Sequence, residues 1–235
     1  MSFTPDDILA RVLYCDDDVL ILNKPPGLPV HAGCKIQQHL EELLPAVSFD
    51  RPEPPRLAHR LDKDTSGCLV LGRLPEASTA LGRLFLHKKV DKIYWAVVEG
   101  EPAEPAGTVD ASLLKLKGEL CARMEVHPDG KSAVTDWRVV ATAQGRAWLE
   151  LLPRTGRTHQ LRVHCATLGT PIVGDFIYGI EPRPPVQPLH LHARAIRLHL
   201  TSGPVTAEAP LPTAMDATFA ALGFDPAAAG ASFTP

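Results

Sequence analysis

His59-Arg60-Leu61-Asp62-Lys63-Asp64-Thr65-Ser66-Gly67, running on into Cys68-Leu69-Val70-Leu71, decides how the rest of the chain is read. An acid follows a hydrophobic residue and sits between basic neighbours. The chain then turns through Thr65-Ser66-Gly67 into an apolar run of the length of a buried strand. Two readings are open for Asp62. In one it caps a turn, with Arg60 and Lys63 as solvated surface charges. In the other it is a carboxylate held at a strand entrance and kept ionised by a nearby cation. One short stretch does not separate them.

A second stretch follows about a hundred residues on: Thr155-Gly156-Arg157-Thr158-His159-Gln160-Leu161-Arg162-Val163-His164, continued by Leu168-Gly169-Thr170-Pro171-Ile172-Val173-Gly174-Asp175. With Asn23-Lys24-Pro25-Pro26-Gly27 and Lys92-Ile93-Tyr94-Trp95-Ala96-Val97-Val98-Glu99-Gly100, these make four ordered stretches between Leu20 and Tyr178. Together they resemble the RluA family of RNA pseudouridine synthases. The resemblance implies an α+β fold with a long, mostly antiparallel sheet, a central cleft, and flanking helices and loops. It implies isomerisation of uridine to pseudouridine in structured RNA, without cofactor or metal.

By the same resemblance Asp62 is the essential carboxylate, acting on sugar or base or through a glycal intermediate. Arg162 matches the arginine that pairs with it, and Tyr94 the tyrosine that stacks on the target base. Arg60 matches the position from which an arginine enters the space of the extruded base. His59, Thr65, Arg157, His159, Gln160 and Lys24 are assigned to substrate and RNA binding. For Lys24 an ordinary surface role stands equally open. Cys68 departs from the aliphatic residue usual after Thr-Ser-Gly and fits the strand as a small hydrophobe. Members with an added S4-like domain carry it ahead of the first stretch, and no room for one is expected before Val19. Shorter members act on tRNA or short ribosomal stem-loops, so a uridine in an RNA loop is the expected target.

Composition sets bounds around this reading. The 235 residues, 45% of them apolar, suffice for a sizeable core. One catalytic domain over residues 1–224 is expected, followed by an Ala-rich flexible tail at 225–235. No apolar run approaches a membrane span and the first ten residues lack a leader pattern, so the expectation is a cytoplasmic monomer with no membrane partner. Five scattered cysteines with no C-x-x-C spacing argue against disulfides and a zinc ribbon. The net charge of −3 hides a segregation. Residues 51–92 hold nine Lys/Arg against five Asp/Glu and residues 154–197 six against two, leaving nine against twenty elsewhere. Phosphates meeting the two basic segments would suit that pattern.

Along the chain, Val19–Leu22 reads as a buried strand and Ile36–Leu44 as a helix stopped by Pro45. A helix opened by Pro75 carries Ala77, Leu81, Leu84 and Phe85 on one face and ends in His87-Lys88-Lys89. Strands are expected over 93–98, 109–116, 122–126, 133–140, 147–152 and 189–200, with a turn at His127-Pro128-Asp129-Gly130. Thr158 is read as the cap of a helix closed by Gly169, with Arg162 at the edge of its apolar stripe, where a cation needs a carboxylate. Thr213–Leu222 is a last helix. Two other classes remain as alternatives: a non-catalytic RNA-binding protein, and a hydrolase holding a metal through His159, His164, His190 or His192. These histidines lack the H-E-x-x-H or Cys/His ligand spacing.

Overall fold

The computed structural model describes residues 2–33, 36–116, 123–180, 186–230 and 232–233. Helix α1 (Pro5–Leu9) starts at Thr4, whose side chain takes the Asp7 N–H while the Asp7 carboxylate takes the Thr4 N–H. Strands β1 (Val12–Cys15) and β2 (Val19–Lys24) form a hairpin. The Asp16 carboxylate accepts from the amides of Asp18 and Val19, which is why three aspartates make its turn.

Where the sequence predicts a helix over 36–44, the chain makes two 3-10 turns, Leu40–Glu42 and Leu44–Val47, with Pro45 inside the second. The buried pairs Leu40/Leu43 and Leu44/Val47 are each three residues apart, a spacing that fits three residues per turn.

Then come β3 (Arg56–Leu57), β4 (Ser66–Gly72), α2 (Pro75–Leu86) and β5 (Val90–Glu99). The expected strand over 109–116 is split between β6 (Ala106–Asp110) and β7 (Leu113–Lys115), because Ala111 turns to pair with Ala133 and Leu113 with Lys131. Next are β8 (Met124–Val126), β9 (Val134–Ala143), β10 (Arg146–Pro153) and α3 (Gln160–Thr167). Ala122, the expected start of the strand at 122–126, lies outside the described residues. The chain ends in β11 (Leu191–Leu200), β12 (Gly203–Glu208) and α4 (Thr213–Leu222).

Two compact units result, one of residues 1–92 and 193–212, the other of residues 93–192 and 213–235. In the first, β2 lies between β1 and β4, with Leu22 opposite Leu69 and Lys24 opposite Gly67. Leu20, Ile21, Leu22, Leu69, Val70 and Leu71 are all buried. Coverage on both faces is why these strands read as unbroken apolar runs rather than as an alternation. Gly67 lies against the Ala193 backbone, where an added Cβ would come 2.2 Å from the carbonyl oxygen.

In the second unit the order is β5, β10, β9, β6, antiparallel throughout, with Leu151 between Tyr94 and Trp137. One face carries Ala96, Val98, Leu149 and Leu151 against Leu161 and Cys165 of α3. Trp148 meets Trp95, Phe219 and Phe224 at ring distances of 4.7, 4.8 and 6.2 Å, which ties α4 to the sheet. Of the tail predicted to fray, Pro226–Ala229 form a 3-10 turn capped by Asp225, and Arg138 donates to the Ala229 carbonyl at 2.7 Å. Strands and separate helices make the class α+β.

Candidate active site

The first unit presents Asp62 on the loop between β3 and β4. Two neighbours are sunk into the protein: Leu61 is buried, and His59 accepts the Val70 N–H at Nε2 (3.0 Å) while its ring stacks on Phe85 at 4.3 Å. Burial, then the charge of Lys92, pulls His59 down to about 3, so the ring is neutral with its proton on Nδ1. Thr65 is buried and its amide donates to the Asp62 carbonyl, closing a turn beneath a half-exposed Asp62. Arg60 and Lys63 are exposed.

Lys24, grouped with RNA binding on sequence, is 1% exposed. Its ammonium donates to the carbonyls of Pro25, Leu28 and Lys63 at 2.7, 2.9 and 2.9 Å. The Gly27 amide donates to the Lys63 carbonyl as well, so the turn after β2 is stitched to the loop of Asp62. Burial draws Lys24 down to about 7, against the opposing fields of Asp64 and Asp62. Three acceptors need three N–H groups, and only the charged ammonium has three. Lys24 thus fastens the loop of Asp62 and Asp64 from beneath, and the charges of both carboxylates favour its protonated form.

The second unit carries Tyr94, Arg157, His159, Gln160 and Arg162. Gln160 is the hub of its segment. Its amide nitrogen donates to the Val134 carbonyl and the Thr135 hydroxyl, each at 3.0 Å. Its oxygen accepts from the Thr155 hydroxyl at 2.7 Å and the Arg157 amide at 3.0 Å. Helix α3 therefore starts at Gln160 and not from a Thr158 cap: the cap is His159, left-handed at φ 53. His159 Nδ1 lies 2.8 Å from the Tyr178 hydroxyl, which accepts the Met124 amide at 2.8 Å. Arg157 is exposed, with Nε donating to the Ser132 carbonyl. Tyr94 is half-buried against the apolar cluster that includes Leu161 and Cys165.

Arg162 is 4% exposed and donates Nε and Nη2 to the two oxygens of Asp175 at 2.7 and 2.6 Å. Its guanidinium also lies 5.2 Å from the Tyr178 ring centroid. Asp175 is fully buried, and the resemblance assigns it no role. Burial alone would raise the Asp175 carboxyl. The hydrogen bond and charge of Arg162, with the amides of Tyr178 and Ile177, outweigh it and hold the group below its ordinary value. Gly174 makes room for this turn: a Cβ there would come 2.2 Å from the Pro188 carbonyl oxygen. The signal for Asp175 was its place after a turn glycine within reach of a helix edge that needed an anion; nothing in the spacing separated it from Asp62.

Of the histidines of the hydrolase alternative, His159, His164 and His190 bond other groups, and His192 is fully buried. His164 bonds Thr135 and the Ala111 carbonyl, and His190 bonds the Pro188 carbonyl and Thr218. Among the described residues no group of three or more His, Cys, Asp or Glu is arranged to hold a metal ion.

Comparison with known proteins fits this architecture. Residues 18–167 match the family model for RNA pseudouridylate synthase, a span that includes Asp62, Tyr94 and Arg162. The structure of human RNA pseudouridylate synthase domain containing 4 superposes with a TM-score of 0.81 over 93% of this chain and 95% of that one, at 29% identity. The chain belongs to the RNA pseudouridylate synthase family, and its activity is that of an isomerase, an RNA pseudouridine synthase. An RNA pseudouridine synthase of Zymomonas mobilis subsp. mobilis is 43% identical over 217 residues, spanning 91% of this chain and 97% of its own. Ribosomal large subunit pseudouridine synthase D of Xanthomonas campestris pv. campestris is 39% identical over 245 residues, spanning 96% of this chain and 73% of its own.

Proposed function

We propose that Asp62 is the carboxylate on which the isomerisation depends, that Arg162 and Tyr94 serve the same reacting centre, and that the substrate is a uridine in the loop of a folded tRNA or ribosomal RNA. The reaction breaks the N1–C1′ bond, turns the uracil and joins C5 to C1′. Nothing is oxidised and no group is gained or lost, so a positioned carboxylate and a base-stacking ring are the chemistry required of the protein.

The observation that carries this reading is the setting of Asp62: a half-exposed carboxylate on a loop fastened by Lys24, with Leu61 and Thr65 buried on either side. A side chain so presented reacts with a group brought to it, and little reorganisation of the loop is needed. The ribosomal name of the Xanthomonas relative supports ribosomal RNA, and the exposed cations of the Asp62 loop support recognition by shape and backbone.

The test is release of tritium from RNA labelled at uridine C5, with chelator present. Wild type is expected to release it and Asp62→Asn to release none while binding RNA as wild type does. Release by Asp62→Asn at a rate near that of wild type would assign the chemistry to another group. Pseudouridine mapping of total RNA from cells with and without the gene then identifies the target. Loss confined to positions inside long ribosomal helices would defeat the loop assignment.

A further inference from the structure

Cations of the first unit differ in how they are held. Arg51 lies 3.0 Å from Asp17, Arg56 lies 2.8 Å from Glu53, Arg194 lies 2.7 Å from Glu208, and Arg73 bonds Asp50. By contrast Arg83, Lys88 and Lys89, at the end of α2, are exposed and have no carboxylate partner among the described residues; nor have Arg60 and Lys63 on the loop of Asp62. A solvated cation with no partner is free to take a phosphate without first breaking an ion pair.

This end of α2 is fixed beside the loop. Phe85, in the last turn, stacks at 4.3 Å on His59, three residues before Asp62, while Arg83, Leu86 and His87 face outward. The helix dipole accounts for cations in that turn. It does not account for Lys88. That residue closes the helix in the left-handed region at φ 57, with its own amide and that of Lys89 donating to the carbonyls of Phe85 and Leu84. Glycine occupies such a position without a Cβ penalty, so a lysine there costs stability and supplies a charge.

We propose that this helix end, with Arg83, His87, Lys88 and Lys89, is a docking surface for the sugar–phosphate backbone of the substrate RNA, a proposal resting on the reading that the substrate is a folded RNA. Its place next to the Asp62 loop lets one RNA strand engage the helix end and offer a flanking uridine to the loop. The contact is to phosphate, so it is indifferent to sequence and sensitive to salt.

The test is binding of a fluorescein-labelled RNA hairpin with a uridine-rich loop, titrated at several salt concentrations, with the full chain. Replacing Arg83, Lys88 and Lys89 together by Gln should lower the slope of log K against log salt by about 2, since each lost contact to a single strand removes about 0.7. Arg51→Gln with Arg56→Gln, which removes paired cations of the same unit, should leave the slope as in wild type. Lys88→Gly separates RNA docking from helix capping: a raised Tm with weaker hairpin binding is expected. An unchanged slope in the triple variant, or unchanged binding in Lys88→Gly, overturns the proposal. The slope comes from binding alone. Failure of the catalytic assignment would appear separately, as hairpin that wild type binds but from which it releases no C5 tritium.

Discussion

Arg162 and Lys24 show how far single residues could be read from sequence. The spacing put Arg162 at the edge of an apolar stripe and demanded an anion for it. The demand was correct, and Asp175 meets it with two hydrogen bonds. Sequence did not single out Asp175, because its reach to the helix edge depends on the path of the turn at Gly174, a fact of three dimensions. Asp175→Asn removes the charge from a pair buried on both sides and should cost about 3 kcal/mol, the lower end for breaking such a pair, because the amide keeps one acceptor. A urea midpoint near that of wild type would show that the pair is replaceable. For Lys24 the sequence leaves an ordinary surface role and a role near the site equally open. Its three carbonyl bonds place it inside. Lys24→Met should lower both Tm and kcat and leave hairpin affinity as it was, since the side chain does not reach solvent. Lost RNA affinity with an unchanged Tm would assign Lys24 to RNA binding instead.

Among elements, β2, β4, β5 and β10 were legible because most of their residues are buried, and α2 and α4 because their few buried and half-buried apolar residues recur at helical spacing. The failures have local causes. The segment 40–47 carries apolar pairs three residues apart, and such pairs serve a 3-10 turn as well as an α-helix. The chemistry of Thr158 suits a cap one residue earlier than the observed one, whereas Gln160 binds backbone and side-chain groups of β9 and fixes the start of α3 itself. Two glycines set the scale of what elements tolerate. Gly67 sits at φ 104 with its missing Cβ 2.2 Å from the Ala193 carbonyl, and both strands are buried. Gly67→Ala should therefore destabilise by about 3 kcal/mol or more, combining backbone strain with a clash that β4 cannot relieve without moving. Gly82, inside α2, has nothing within 4 Å of an added Cβ. Gly82→Ala should stabilise by about 0.8 kcal/mol, the helix-propensity difference. Thermal melts of the two variants shifting in the same direction would contradict the packing described for both.

For the molecule as a whole, the charge segregation in the sequence was a usable guide, but pH response depends on burial that composition does not reveal. Each buried group pulls stability in a direction that can be worked out. Asp175 titrates below its ordinary 3.8, so its contribution is present above that pH and is lost as pH falls through the folded value. His59, about 3 when folded against 6.5 when free, makes stability rise with pH over that interval. Lys24 at about 7 and Lys92 at about 8 lie below the free value of 10.5, so above these pH values the unfolded chain holds protons that the folded chain does not. Stability keeps rising. Cys68 and Cys165 act oppositely. Burial raises both thiols from 9.0 to about 12, so above 9 the folded chain retains protons that the unfolded chain loses, and their contribution to stability falls. The two lysines outweigh the two cysteines until the unfolded thiols are mostly ionised, so the urea midpoint should climb to a maximum at about pH 9.7 and then decline. Catalysis should not follow it. Above about pH 7 the Lys24 ammonium loses one of the three N–H groups that hold the carbonyls beneath Asp62, and the loop loosens while the rest of the fold gains stability. We expect kcat, measured at saturating RNA, to fall between about pH 7 and 9 as the midpoint rises. A kcat that rises with the midpoint across that range would show that the Lys24 proton does not govern the loop.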